Sequence, residues 1–183
     1  MTETLYQVSN KQNDEVKDFG SRTVPQLRLD ASTDIQRVFQ FSGGGLQKLK
    51  HNIRPQIIYS YIPDISQEGL PGFVYALAKQ NLLTYYLINT FTGKSVIGKG
   101  KDGEDHFGYR DLAQIRFYQS YDFNEARRQV TGTDTRKPFS NVYGEVELRP
   151  LNWLTWRSIL SWSPYDKEFA SHSHYLTFWD KRG

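Results

Sequence analysis

Residues 49–62 have the sequence LKHNIRPQIIYSYI, in which two kinds of side chain alternate. The odd-numbered positions are mainly apolar or aromatic, whereas the even-numbered positions are mainly Lys, Asn, Arg, Gln and Ser. Because successive side chains of a β-strand point to opposite faces, this pattern predicts a strand with one apolar and one polar face. The alternating run is longer than the ~5–6 residues usual in globular proteins, which favours a membrane-spanning strand.

The same alternation recurs along the chain and predicts a series of strands. Their predicted ranges are 2–9, 21–31, 34–42, 81–92, 109–123, 141–150, 152–163 and 172–180. Polar segments rich in Gly, Asp, Lys and Pro predict the loops between them, at 10–19, 43–47, 63–79, 93–107 and 124–140. Residues 149–152 predict a tight turn, and 70–80 are a weak helix candidate. We therefore expect an all-β fold, an antiparallel up-and-down array with tight turns at one end and long loops at the other.

Composition excludes several classes of protein. The 183 residues include no cysteine, which excludes disulfide scaffolds and thiolate metal sites. No apolar run approaches the ~18 residues of a membrane-spanning helix. The net charge of +3 is too small for an electrostatic nucleic-acid surface, so we predict no nucleic-acid partner. Phe, Tyr and Trp make up 15% of the chain, a share typical of β proteins and of outer-membrane barrels.

Alternation alone does not determine which face of the sheet is in contact with water. A soluble sandwich buries its apolar face, whereas a membrane barrel turns that face toward lipid. Strand length and loop asymmetry favour the barrel. Ile58 and Ile62 on the polar face favour the sandwich, as do Pro25 and Pro55, since proline removes a ladder donor.

Two pairs of residues have spacings compatible with chemistry. Glu145 and Glu147 share one strand face, as an acid and a base of a glycosidase could. His172 and His174 also share a face and could bind a metal together with a third ligand. No further shell of acids and bases is visible around the glutamates, and the histidines begin a polar strand after the turn at 163–171, so we interpret both pairs as polar strand positions. The sequence predicts no enzyme, no cofactor and no metal site.

The segment GLQKLKHNIRPQIIYSYIPD at 45–64 resembles the C-terminal barrel domain of the LptD (organic solvent tolerance) family of lipopolysaccharide-assembly proteins. The shared features are a lysine-rich entry, a KH-x-I-x-P core and a Y-x-Y-I-P exit. Flanking segments are similar in the same order, at 21–41, 81–94, 119–128 and 137–150. Because Pro55 lies inside the family-like motif, it no longer argues against a barrel strand.

The resemblance implies a large antiparallel barrel in the outer membrane that carries lipopolysaccharide (LPS) to the cell surface. It implies LPS as substrate, a plug lipoprotein similar to LptE in the lumen, and a periplasmic LPS bridge that docks on an N-terminal domain. Residues 1–183 show no signal peptide and no such domain. We therefore interpret the chain as one domain, an internal part of the barrel with about eight or nine strands, cut at both ends.

The resemblance also assigns the two faces. The polar residues predicted to face the lumen are Lys50, Arg54, Gln56, Arg110, Gln114, Arg116, Glu145, Glu147 and Arg149. The residues predicted to face lipid are Ile53, Ile57, Tyr59, Ile115, Phe117, Val146 and Leu148. The basic residues of the first set could contact phosphorylated sugars. The alternatives are a passive porin-like channel and a soluble β-sandwich that acts as a binding module.

Overall fold

A computed structural model describes residues 2–9, 16–42, 45–65 and 76–179. In this part of the chain the predicted all-β fold is confirmed, with ten strands and one short helix, α1 (Phe123–Arg127). The strands are β1 (Thr2–Ser9), β2 (Val16–Val24), β3 (Leu27–Ser32), β4 (Ile35–Gln40), β5 (Leu46–Ile62), β6 (Gln80–Lys99), β7 (Asp105–Asp122), β8 (Val142–Leu151), β9 (Leu154–Ser163) and β10 (Glu168–Phe178).

From β4 to β10, strands that are neighbours in the chain are also neighbours in the sheet. The main sheet has the order β10-β9-β8-β7-β6-β5-β3, with β4 also paired to β5, and β1 and β2 form a separate two-stranded sheet. Antiparallel registers join β1 with β2, β4 with β5, β7 with β8, β8 with β9 and β9 with β10. This is the predicted up-and-down order.

The predicted strand 21–31 is divided in the structure. Strand β2 ends at Val24 and β3 begins at Leu27, with Pro25 between them. Proline has no backbone N–H to donate to a ladder, which accounts for the interruption. Strands β3 and β4 then follow one another along β5, where the Thr33 N–H donates to the carbonyl of Pro55 at 3.3 Å.

The predicted loop at 93–107 is wrong. Strand β6 continues to Lys99 and β7 begins at Asp105, so that a connection of residues 100–104 remains. Glycine and lysine within this segment favoured a loop, but contacts across the two strands stabilise an extended hairpin. In one of them the ammonium of Lys94 lies over the ring of Phe107.

The predicted division into tight turns at one end and long loops at the other holds only in part, because the segment 93–107 and the connection after β9 are not long loops. Short connections follow β4, β6 and β8, at residues 41–45, 100–104 and 152–153. Long ones follow β5 and β7, at 63–79 and 123–141, whereas the connection after β9 is a tight turn. The weak helix candidate at 70–80 lies mostly outside the described residues, and residues 76–79 have no regular structure.

The short helix α1 begins at the end of β7 and was not predicted. The side chain of Asp122 accepts hydrogen bonds from the backbone N–H groups of Asn124 and Glu125, at 2.8 and 3.2 Å. Aspartate is a favourable N-cap residue because its carboxylate satisfies N–H groups that have no partner within the helix. The spacing of Asp122 and Glu125 was an available sequence signal for this helix start.

The chain divides into two compact units. The first comprises the described residues of Met1–Asp30, Ile58–Leu83 and Asp122–Pro138, and the second those of Ala31–Ile57, Thr84–Tyr121 and Phe139–Gly183. The first unit contains the buried side chains of Val24 and Ile58, with exposed fractions of 1% and 8%. The second contains the strand segments that carry the candidate site.

Most large hydrophobic side chains lie at the surface. Among residues whose side chains are described, Val24 and Ile58 are the buried hydrophobic ones. Exposed apolar side chains occur on most strands of the main sheet, for example Ile57, Leu87 and Phe117. The described residues of the second unit therefore form a sheet without a buried hydrophobic side chain on either side. No described helix has the length and hydropathy that a membrane span requires.

Candidate functional site

The registers of the second unit bring polar residues of neighbouring strands onto a common face. Arg116 lies opposite Glu145 and Gln114 opposite Glu147 in the β7–β8 pair. Gln36 lies opposite Asn52 in the β4–β5 pair. Strands β4 to β9 each contribute side chains to this surface, which we call the polar face.

Glu145 is the acceptor of two arginines on this face. Its Oε2 lies 3.5 Å from Nη1 of Arg116 on β7 and 3.9 Å from Nη2 of Arg157 on β9. The Nε atom of Arg116 is shielded from solvent and has no hydrogen-bond partner among the described residues. Arg157 was not a predicted site residue, because its proximity to Glu145 depends on the β8–β9 register.

Arg54 forms a second charged group, together with an acidic residue that the sequence reasoning missed. Its Nε and Nη2 donate to Oδ1 and Oδ2 of Asp34 at 3.0 and 2.8 Å. Asn52 donates to the same carboxylate at 2.8 Å. Asp34 lies in the interruption between β3 and β4, so its local sequence gave no sign of a role on the polar face. Gln56 shares the face of Arg54 by strand alternation.

Three tyrosines from three adjacent strands form a stack. The ring centroids of Tyr86 and Tyr118 are 5.3 Å apart, and those of Tyr118 and Tyr143 are 4.9 Å apart. Both interplanar angles are below 30°. Tyr118 pairs with Tyr143 two residues along from the Arg116–Glu145 pair, so the stack belongs to the polar face. This tyrosine stack was not predicted, because it depends on register.

The polar face contains open cavities. One of them has a volume of about 640 Å³, and its lining includes Lys50, Arg54, Gln114 and Arg116. These are four of the nine residues predicted to face the lumen, and the structure brings them together around one space.

The other predicted lumen-facing residues occupy different places. Glu147 forms an ion pair with Arg149, and both line a smaller cavity with Gln114. Arg110 is separate from this group, because its guanidinium donates to Asn152 and to the carbonyl of Pro150 in the β8–β9 connection. The two carboxylates at 145 and 147 are thus both held in ion pairs.

An interruption of the side-chain alternation in β7 accounts for the position of Arg110. Asp111 accepts a hydrogen bond from Thr92 at 2.7 Å and lines the same cavity as Gln114. Asp111 and Gln114 are three positions apart, so strict alternation would place their side chains on opposite faces. The alternation of side chains between the two faces is therefore interrupted between these residues. Leu112 lies on the other face, against Gly93, and Arg110 has the same phase as Leu112.

Six of the seven residues predicted to face lipid belong to the second unit and share its opposite face, which we call the apolar face. Ile115 lies opposite Val146. The ring of Phe117 lies against Gly144, since a Cβ atom added to this glycine would be 3.4 Å from Cε1 of Phe117. On β5 and β4, Ile53 lies opposite Ile35. The six are completed by Leu148, opposite Ala113, and by Ile57, which is 51% exposed. Tyr59 lies in the first unit, where its hydroxyl donates to Asn81 at 3.0 Å.

The two histidines of β10 lie close to one another. The ring centroids of His172 and His174 are 6.0 Å apart, and His174 also lies 6.1 Å from Trp156. Across the described residues, no cluster of three or more His, Cys, Asp or Glu side chains is placed to hold a metal ion.

Comparison with known proteins bears on this arrangement. The model of one protein family, described as LptD: LPS transport system D, matches residues 1–183. No curated protein matches the chain. The family match covers the whole sequence and confirms the resemblance noted for the KHNIRP segment and its flanks. The chain therefore belongs to the LptD family of LPS transport proteins.

Proposed function

We propose that this chain forms part of the wall of an outer-membrane β-barrel that moves LPS to the cell surface. Its family is that of LPS transport system D. The observation that carries the wall assignment is the exposure of the apolar face, where Ile57, Leu87 and Phe117 are 51%, 43% and 45% exposed. A soluble sandwich would pack such a face against a second sheet, whereas a barrel presents it to lipid.

The polar face is then the lumen surface. This face carries ion pairs between strands, such as Arg116 with Glu145 and Arg54 with Asp34. Charged side chains are energetically costly in contact with lipid, which favours a lumen position for this face. Open cavities on this face leave room for a hydrated sugar chain. The chain performs no chemical step in this function, since its contribution is a polar surface along which the glycolipid moves.

The same proposal includes partners. We infer a plug lipoprotein similar to LptE in front of the polar face, and a periplasmic LPS bridge that delivers the substrate. The family match supports partners of the LPS transport system in general. The tyrosine stack offers a rigid aromatic surface on which such a plug could pack.

Two adjacent residues of β7 provide a test of the face assignment. Ile115 belongs to the apolar face and Gln114 to the polar face, so both lie at nearly the same depth. Arginine facing lipid near the membrane midplane costs ~2–4 kcal/mol, whereas arginine in the lumen is tolerated. In the full protein, Ile115→Arg should lower the amount of folded protein in the outer membrane and Gln114→Arg should not. Equal effects of the two substitutions would contradict the assignment.

Two further measurements separate the alternatives. A porin-like channel would give a steady ion conductance when the full protein is placed in a planar bilayer. A soluble β-sandwich would yield a monodisperse, cooperatively melting monomer when residues 1–183 are expressed without detergent. We expect aggregation in the second experiment, because an apolar sheet face and unpaired strand edges would be exposed to water.

A further inference from the structure

A third cavity on the polar face is lined by three lysines. It has a volume of about 300 Å³ and is lined by Val38, Lys48, Lys50, Thr92, Lys94 and Tyr109. We call it the lysine pocket. We propose that the lysine pocket binds phosphate groups of LPS at the end of the barrel where the glycolipid enters. This inference rests on the function proposed above and names a site for it.

The pocket is positively charged, and a carboxylate at its edge, that of Asp111, accepts a hydrogen bond from Thr92. Within the described residues, no carboxylate oxygen lies within 4 Å of the ammonium nitrogens of Lys48, Lys50 and Lys94. Asp34 interacts electrostatically with Lys50, but its carboxylate already accepts hydrogen bonds from Arg54 and Asn52. By contrast, Glu145 at β8 has two arginine partners.

Aromatic rings hold one of the lysines in place. The Lys94 ammonium lies 3.7 Å from the centroid of the Phe107 ring and 5.9 Å from that of Tyr109. A cation over an aromatic face is stabilised by the ring quadrupole, and it keeps its N–H groups free to donate to an anion. Tyr109 is 72% exposed, so much of its ring remains open beside the lysines.

These features suit a phosphorylated sugar. Ammonium groups bind phosphate as compact point charges, and three of them around one cavity favour an anion that carries more than one negative charge. The exposed face of Tyr109 offers apolar surface to a sugar ring that carries such a phosphate. A neutral glycan would gain little from three clustered lysines.

The position of the pocket indicates when the substrate would meet it. Lys48 follows the connection 41–45, and Tyr109 follows the connection 100–104, both of which are short. Outer-membrane barrels keep their short turns in the periplasm and their long loops outside the cell. The lysine pocket therefore lies toward the periplasmic mouth, where LPS would enter the lumen.

A cross-linking experiment in the full protein tests this inference. A photo-cross-linking amino acid at Val38, which lies opposite Lys50, would report occupancy of the pocket. The probes are purified LPS and the same LPS with its phosphates removed enzymatically. The combined substitutions are Lys48→Gln, Lys50→Gln and Lys94→Gln. They should raise the LPS concentration needed for half-maximal cross-linking about tenfold, because several weak, exposed charge pairs with the phosphates are lost together. Dephosphorylated LPS should cross-link as weakly to the unsubstituted pocket.

The matched control is Lys101→Gln, which removes one exposed lysine from the nearby 100–104 connection without touching the pocket lining. It should leave cross-linking unchanged. Heat-modifiable migration on a gel verifies that each variant is folded. The inference would be overturned if the yield of the cross-link changed neither on substitution of the lysines nor on removal of the phosphates. A cross-link from Val38 to a protein instead of LPS would overturn it as well.

A second cross-linking position at Gln114 separates this inference from the proposed function. Gln114 lies on the polar face but not in the lysine pocket. If LPS cross-links at Gln114 while Val38 shows no dependence on lysine, the pocket is wrong and the lumen assignment stands. If LPS cross-links at neither position, the proposed function itself is contradicted.

Discussion

The ammonium of Lys94 on β6 lies 3.7 Å from the ring centroid of Phe107 on β7, within a segment whose glycines and charges favour a loop. This contact joins the two strands close to the connection 100–104. It shows that cross-strand interactions extend the β6–β7 hairpin beyond the range in which local sequence favours a strand.

The Lys94–Phe107 contact should contribute measurably to the stability of the hairpin end. We expect Phe107→Ala to destabilise this region by about 0.5–1 kcal/mol, the size of an exposed cation–π interaction. Amide hydrogen exchange of residues 94–99 should become faster by a few-fold. Phe107→Tyr keeps the ring and serves as the control, with exchange close to that of the unsubstituted protein. Identical exchange in Phe107→Ala would show that the contact contributes nothing.

Gly93 lies where β5, β6 and β7 come together on the apolar face. A Cβ atom at this position would be 2.8 Å from Cδ1 of Leu46 and 2.9 Å from Cδ1 of Leu112. Since both obstacles are the ends of flexible side chains, Gly93→Ala should be tolerated. Gly93→Val should cost about 1–3 kcal/mol through overpacking, measured from thermal unfolding of the folded barrel.

The double variant Gly93→Val with Leu112→Ala tests the cause of that loss. Removing the leucine side chain makes room for the valine, so the two substitutions together should be less harmful than the sum of their separate effects. Additive effects would indicate that Gly93→Val acts through something other than Leu112.

Glu145 should matter more for stability than Glu147, although both are glutamates on the same strand face. Glu145 has arginine partners on two neighbouring strands, whereas Glu147 forms an ion pair with Arg149 on its own strand. We expect Glu145→Gln to cost about 0.5–1 kcal/mol more than Glu147→Gln, because it removes the negative charge that two arginines share. The thermal midpoints of the folded form measure the difference, and equal midpoints would contradict this ranking.

The loop after β7 should be sensitive to acid. Arg128 donates to Glu125 at 2.7 and 3.0 Å and to Asp134 at 2.6 Å, and these bonds lower the pKa of both carboxyl groups below their ordinary values. A carboxyl whose pKa is lowered on folding adds stability above its ordinary pKa. That contribution is lost as the pH falls through the lowered value. The loop arrangement should therefore persist at neutral pH and open in acid.

Carboxyl titration followed by NMR checks this prediction. The pKa of Glu125 should lie below 4.5 and that of Asp134 below 3.8, the ordinary values of the two groups. Arg128→Gln should raise the pKa of both groups toward those values. Arg127→Gln removes a neighbouring positive charge that has no bond to either carboxyl group in the described structure, and it should leave both nearly unchanged. Ordinary pKa values in the unsubstituted protein would show that Arg128 does not hold this loop.

Much of the fold follows from local alternation. The strand at 49–62 was predicted almost to its observed bounds, because each residue's direction in a strand depends only on its position in the chain. The predicted turn at 149–152 lies within three residues of the observed connection, Asn152 and Trp153. The family resemblance likewise depended on short stretches of sequence.

Residues near irregular positions were harder to place. Arg110 matched the alternation of Gln114 and Arg116, yet the phase changes between Asp111 and Gln114. The position of Asp111 is seen in its contact with Thr92 on the neighbouring strand, which the local pattern does not reveal.

The sequence by itself determined that the chain forms long, two-faced strands and that it belongs to the LptD family, since alternation and motifs are local properties. Only the tertiary structure decided which polar side chains meet. Glu145 joins Arg116 with Arg157, Asp34 binds Arg54, and the lysines of β5 and β6 surround one cavity. These contacts depend on the register between strands distant in the chain, because a shift of one residue would turn every side chain to the other face.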